Sequence, residues 1–174
     1  MKYTKIVSED AENIISACTP ELMLEKLKDK TVLVTGASGM VGSYFIYTIL
    51  KLNEIYDANI KIIATVRNIS KLDEYIKNNP MVSVVVQDIV KPLEIEEDVH
   101  YVIHAASPAS PKIMKDQPVE TNFANTIGTA NTLLLAQAKQ AEGYMFISSR
   151  EIYGEPMEGQ ELFTEDGPLD HILL

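Results

Sequence analysis

Residues 31 to 45 read TVLVTGASGMVGSYF, and no other stretch restricts the fold as tightly. A short β-branched run, of the kind that makes a buried strand, stops at Gly36. Two more glycines follow at three-residue spacing, Gly39 and Gly42, and MVGSYFIYTILKL then carries helical periodicity. Strand, Gly-x-x-Gly-x-x-Gly, helix is a phosphate-binding turn. The first glycine permits the tight bend, the second lets a pyrophosphate approach the backbone, and the third lets helix and strand lie close. Free amides and the helix dipole then face an anion. This assigns Gly36, Ser38, Gly39, Met40, Val41 and Gly42 to a dinucleotide cradle. The same glycines would also serve a tight turn with no ligand, but the strand before, the helix after and the βα units beyond favour the phosphate.

Those further units follow in order. A second strand falls at 61 to 66 within IKIIATV, and NISKLDEYIKNN reads as a helix. MVSVVVQD is a third strand, VHYVIHAAS holds a fourth, residues 117 to 141 form a long helix with an Ala/Leu face, and GYMFISS is a fifth strand. Nearly continuous apolar strands alternating with helices imply a parallel sheet covered on both faces, a Rossmann-type doubly wound α/β fold in three αβα layers. Residues 1 to 30 form a helical N-terminal extension, with Ser8 capping a first helix to about Cys18, then Thr19 and Pro20 opening a second to about Lys28. Residues 31 to 174 form the dinucleotide-binding domain. The stretch after Ser149 is polar and turn-rich, a loop with a short apolar end.

Composition narrows the function. With 15 Lys and Arg against 25 Asp and Glu, net charge is -10, which opposes nucleic acid and anionic membrane surfaces as partners. Cys18 is the single cysteine, so there is no internal disulfide and no multi-cysteine metal site, and no metal is expected. The acidic start is no signal peptide, and no apolar run approaches the roughly 20 residues of a membrane span, so a cytoplasmic protein is expected.

Five segments in register resemble the extended short-chain dehydrogenase/reductases, the NAD(P)-dependent epimerase/dehydratase group, from about Lys30 to Leu174. They are the glycine turn, VVVQDIV, VIHAASPASP, NTIGT and FISSREIYG. The resemblance implies that Asp88 and Ile89 hold adenine. It sets Ala105, Ala106 and Ser107 beside the nicotinamide ribose and gives Asn125 a place in the Asn-x-x-Gly-Thr helix. His104, at the end of a strand, reads as structural, and Asp88 has the alternative of capping its own turn. ASPASP, QPVET, NTIGT and SSREIYGEP are most similar to UDP-glucuronate decarboxylases and nucleotide-sugar 4,6-dehydratases. In such enzymes hydride leaves C4 of the sugar, the 4-keto intermediate acidifies its neighbours, and hydride returns. Ser149 falls where the catalytic Ser or Thr hydrogen-bonds the C4 oxygen. Glu151 falls where those lyases carry a glutamate for the later proton step.

NAD enzymes usually place Asp or Glu after strand two for the ribose hydroxyls. Here the segment is IATVRN, and Arg67 could accept the 2′-phosphate of NADP or stack on adenine, so both NAD and NADP stay open. The group's Tyr-x-x-x-Lys pair, its base and the lysine that lowers its pKa, should lie on the helix after strand five. The last lysine is Lys139, and Tyr153, the one tyrosine beyond Ser149, has Met157 four places on. Tyr47-Thr-Ile-Leu-Lys51 matches the spacing, but on the wrong helix, and reads as a decoy. The chain is therefore expected to be the cofactor-binding piece of a longer enzyme, without turnover alone and with apolar surface left bare near strands one, four and five. Homodimers of the family commonly form through the helix at 117 to 141 and the helix after strand five together, so a homodimer is an expectation for the longer enzyme more than for this piece. A non-catalytic dinucleotide-binding module and an NADP-dependent carbonyl reductase fragment are the rival readings.

Overall fold

The structure is a computed structural model that describes residues 2–154 and 163–164. The loop and apolar end expected after Ser149 lie mostly outside the described residues. Five strands, β1 (Thr31–Thr35), β2 (Lys61–Val66), β3 (Val82–Val86), β4 (Tyr101–His104) and β5 (Gly143–Phe146), form one sheet in the order β3-β2-β1-β4-β5. Every pairing is parallel, as the unbroken apolar strands predict. β1 is buried along its whole length, whereas β3 and β5, the two outermost strands, are partly exposed.

Helices cover both faces. On one, α3 (Met40–Tyr56) packs its Ile46, Leu50 and Leu52 against Val32, Val34, Ile62 and Ala64. On the other, α6 (Pro118–Ala138) closes over Leu33, Ile63 and Val102 with Leu135 and Ala136. The order of strands reverses between β1 and β4, and in open α/β sheets ligands bind at the carboxyl ends of the strands flanking such a switch.

The N-terminal extension forms α1 (Lys5–Ala17) and α2 (Pro20–Leu27), but it is no independent unit. Val7 and Ile15, on one stripe of α1, belong to the same core as α3 and the sheet. Tyr3 stacks on Tyr75 with ring centroids 3.8 Å apart, and the Tyr44 hydroxyl donates to Asp10 at 2.9 Å. Thr4, not Ser8, caps α1, its hydroxyl accepting from Val7 N–H at 3.3 Å. Either residue type can cap. Starting at Lys5 brings Val7 into the buried stripe, and Ser8 N–H then bonds to Thr4 C=O within the helix.

NISKLDEYIKNN is not one helix. It divides into a 3-10 turn (Ile69–Lys71) and the short α4 (Glu74–Lys77), separated by Leu72 and Asp73. Asp73 caps α4 through Tyr75 N–H at 3.2 Å and also accepts the Tyr47 hydroxyl at 2.7 Å and the Tyr3 amide. Those long-range partners hold Asp73 outside a helix. A further short helix, α5 (Pro111–Asp116), precedes α6 and had no signal beyond Pro111 at its first position.

Candidate dinucleotide-binding site

At the carboxyl end of β1 the chain turns through Gly36 at φ +68°, a left-handed conformation that favours glycine. A Cβ there would lie 2.5 Å from Ala105 O, so the turn is pressed against the segment leaving β4. Gly42 is buried beneath it, and a Cβ at that position would meet Gly36 O at 2.5 Å. Gly39 is the N-cap of α3 and offers no side-chain cap, so the first amides of a 17-residue helix are left for an anion.

A crevice of about 400 Å³ opens at this edge. It gathers Gly36, Ser38, Gly39, Arg67, Asp88, Ile89, Ala105, Ala106 and Ser107 from the turns after four different strands. Asn125, on α6, stands behind them, its side-chain oxygen accepting the Ser107 hydroxyl at 2.7 Å. Asp88 takes the alternative of capping its own turn, accepting Val90 N–H at 3.2 Å, and it also lines the crevice. Asn131 Nδ2 donates to Ile89 C=O at 2.8 Å and holds that turn to α6.

Met40 and Val41 do not line the crevice. Their side chains line a separate apolar hollow of about 780 Å³ on the α3 face, and their backbone amides stand in the first turn of α3. This second hollow is lined from strands one, four and five by Val32, Ile103 and Met145, of which Val32 is buried and Met145 exposed, so the bare apolar surface expected there is found at β5 and not at β1.

Sequence reading missed Thr65, Asn68, Lys71 and Gln87, which also line the crevice. Position at a strand's carboxyl end was a usable signal for Thr65 and Gln87, but Lys71 arrives only because the 3-10 turn folds it back. The Thr65 hydroxyl is buried with no partner among the described residues. An orphaned donor in the wall, two cations and an uncapped helix start fit a phosphorylated dinucleotide.

His104 ties the site together. Its Nδ1 lies 2.7 Å from Thr35 Oγ1 and its Nε2 3.2 Å from Thr129 Oγ1. Thr129 gives its hydroxyl proton to Asn125 C=O at 2.7 Å, so it must accept from Nε2–H. Nδ1 is then the acceptor of the Thr35 hydroxyl, whose oxygen takes Ala105 N–H at 3.2 Å. Each group in this relay is satisfied by neutral imidazole, and burial lowers the His104 pKa from its ordinary 6.5.

Ser149 is exposed and lies beyond β5, whose pairing continues as Ile147 N–H donates to His104 C=O at 3.0 Å. It shares the carboxyl edge of the sheet with the crevice without lining it. The Glu151 side chain lies outside the described residues. Tyr47 and Lys51 are remote from the crevice lining. The Tyr47 phenol bonds to Asp73, and Lys51 pairs with Glu54 at 2.8 Å and Glu12 at 3.4 Å. No group of three or more side chains suited to a metal occurs among the described residues, and no described helix is long and apolar enough to cross a membrane.

Known proteins resemble the chain in sequence and in fold. UDP-glucuronic acid decarboxylase 4 of Arabidopsis thaliana is 32% identical over 150 residues, which is 84% of this chain and 32% of that protein. UDP-glucuronic acid decarboxylase 1 of Danio rerio is 33% identical over 138 residues, 79% of this chain and 31% of the other. The chain thus spans about a third of the length of the curated relatives it matches. Among solved structures, dTDP-glucose 4,6-dehydratase from Bacillus anthracis in complex with NAD superposes with a TM-score of 0.63 at 25% identity, covering 81% of this chain and 44% of that one. UDP-N-acetylglucosamine 4-epimerase from Methanobrevibacter ruminantium shares the fold, with a TM-score of 0.60 at 22% identity over 81% of this chain and 44% of its own. The family model described as NAD dependent epimerase/dehydratase matches residues 32–172, and the chain belongs to that family.

Proposed function

We propose that the chain is the cofactor-binding part of a cytoplasmic NAD(P)-dependent enzyme that acts on a nucleotide sugar, of the decarboxylase, dehydratase or epimerase kind. The crevice supports this most directly: the glycine turn, the open start of α3 and the turns after β2, β3 and β4 all converge on one space of dinucleotide character. When bound, the nicotinamide supplies hydride acceptance and return at C4 of the sugar. The chain's residues bind and orient. The amides of Gly36, Ser38, Met40 and Val41 hold the diphosphate, while Ala37 and Gly39 N–H shape the turn by donating to Thr65 and Gly36 C=O. Asp88 and Ile89 flank the adenine side, and Ala105 to Ser107 with Asn125 support the ribose end. Ser149 donates a hydrogen bond to the C4 oxygen as charge grows there, and Glu151 takes part in the later proton transfer. A Tyr-x-x-x-Lys pair from elsewhere in the protein would supply the base.

A homodimer through α6 accords with an exposed apolar stripe of Val119, Phe123, Ile127 and Leu134 on that helix. The function is tested by incubating the full-length protein with UDP-glucuronate and other nucleotide sugars and following products by mass spectrometry. Turnover that falls about a hundredfold or more in Ser149→Ala, with nucleotide binding retained, is expected from loss of a donor to the developing charge. Nucleotide binding without turnover of any nucleotide sugar would favour the non-catalytic module.

A further inference from the structure

We propose that Tyr3, acting through Asp73, is a positioning residue for the adenosine end of the dinucleotide crevice, so that the N-terminal extension helps set how tightly the coenzyme is held. The inference rests on the dinucleotide reading above and goes beyond it, since Tyr3 precedes the stretch matched by the family model, residues 32–172.

The path from the extension to the crevice is short. Asn68 and Lys71 line the crevice, and both belong to the connection between β2 and β3. That connection holds a three-residue 3-10 turn and the four-residue α4, each too short to persist by its own hydrogen bonds. At its start Asn68 accepts Ser70 N–H at 2.9 Å and the Ser70 hydroxyl at 2.8 Å, bonds that stay within the turn. At its end Leu72 is buried in the core and Asp73 makes the bonds to the rest of the fold. Asp73 Oδ1 accepts Tyr75 N–H at 3.2 Å, while Oδ2 accepts the Tyr3 amide and the Tyr47 hydroxyl. The Tyr3 ring lies flat on Tyr75, with centroids 3.8 Å and planes 4° apart. Tyr3 therefore grips the start of α4 by its amide and by its ring, beside the turn that delivers Lys71.

Tyr3 is itself firmly held. Thr4 caps α1, and Val7 and Ile15 seat that helix in the core beside α3. Asp10 accepts the Tyr44 hydroxyl at 2.9 Å, and Glu12 pairs with the buried Lys51 at 3.4 Å. An anchored helix thus presents Tyr3 to Asp73. Coupling of this kind is reciprocal: if a docked Tyr3 favours the coenzyme, the coenzyme favours a docked Tyr3.

Calorimetric titration of the full-length protein with NAD and with ADP, together with hydrogen exchange at the Tyr3 amide, tests this. Asp73→Asn keeps the cap to Tyr75 N–H, and the Tyr47 hydroxyl can turn to accept from the new amide, but Tyr3 N–H then faces a donor. Tyr3→Ala removes the stacked ring. Each substitution should weaken both nucleotides by about three- to tenfold, the worth of about one hydrogen bond. Asn53→Ala removes two bonds to Ile60, each 2.8 Å, away from the extension and the crevice. It controls for general loosening and should leave both affinities unchanged. Saturating NAD should slow exchange of the Tyr3 amide, and should not do so in Asp73→Asn. Unchanged affinity in Asp73→Asn or Tyr3→Ala, an equal loss in Asn53→Ala, or exchange at Tyr3 indifferent to NAD would overturn the inference and leave the dinucleotide reading intact. If neither nucleotide binds a folded sample, the dinucleotide reading falls and this inference with it.

Discussion

Replacing His104 with alanine should loosen the whole carboxyl edge of the sheet. The side chain is 2% exposed and joins β4 to both β1 and α6. Two hydrogen bonds contribute about 1 kcal/mol each, and the Thr35 hydroxyl, fully buried at 0% exposure, would lose its acceptor at a cost of about 1–3 kcal/mol. With some relaxation of the cavity, the loss should be about 3–5 kcal/mol, a large share of the ~5–15 kcal/mol that holds a typical domain together. Urea unfolding followed by circular dichroism reads this as a lower midpoint at unchanged slope. A cycle with Thr35→Val should show a coupling of about 0.5–3 kcal/mol, because each partner is unsatisfied without the other. The pH dependence follows from the same relay. Burial holds the folded pKa below 6.5, so as pH falls below 6.5 the unfolded chain takes up a proton that the folded chain refuses. Stability should therefore fall from pH 6.5 down to the folded value and flatten beneath it, and His104→Ala should lack that component. A loss under about 1 kcal/mol, or additive effects of the two substitutions, would refute the relay.

Gly36→Ala puts a side chain at φ +68° and 2.5 Å from Ala105 O, so it should cost at least about 2 kcal/mol in unfolding free energy and abolish nucleotide binding by calorimetry. Tyr47→Phe removes the phenol from Asp73 while keeping the ring, and thermal melting should report a loss of about 1–2 kcal/mol. Burial and the Asp73 carboxylate raise the Tyr47 pKa well above 10.0, so in an ultraviolet titration of the folded protein this phenol should ionise after the ordinary tyrosines. Turnover that survives in full in Tyr47→Phe is expected, since the phenol is committed to packing the extension against α4.

Much of the fold was legible because covalent geometry and periodicity write it locally. Gly36 and Gly42 are needed where a Cβ would strike Ala105 O and Gly36 O, and the unbroken run of β1 announces burial on both faces. Less could be read where distant residues decide. Asp73 stays out of a helix because Tyr47 and Tyr3 claim its carboxylate from 26 and 70 positions away. Thr4 and Ser8 are equally good caps, and the choice belongs to the packing of Val7. Arg67 was readable from its place after β2, while Lys71 reaches the crevice only through the turn that Asn68 caps. His104 reads as structural by itself, but its link to Thr35, 69 residues away, exists only once β1 and β4 pair. Met40 and Val41 show the opposite limit: a motif names positions, and here their amides and side chains serve different sides of the helix start.

Amide resonances of nitrogen-15-labelled protein, followed while NADP and NAD are added, test the central claim most directly. Gly36, Ser38, Met40 and Val41 should show the largest shifts, ahead of residues on α1 or deeper in the apolar hollow, because their N–H groups meet the diphosphate, with Gly39 moving through its bond to Gly36 C=O. Shifts centred elsewhere, or none at saturating nucleotide in a folded sample, would contradict a diphosphate seated on this turn.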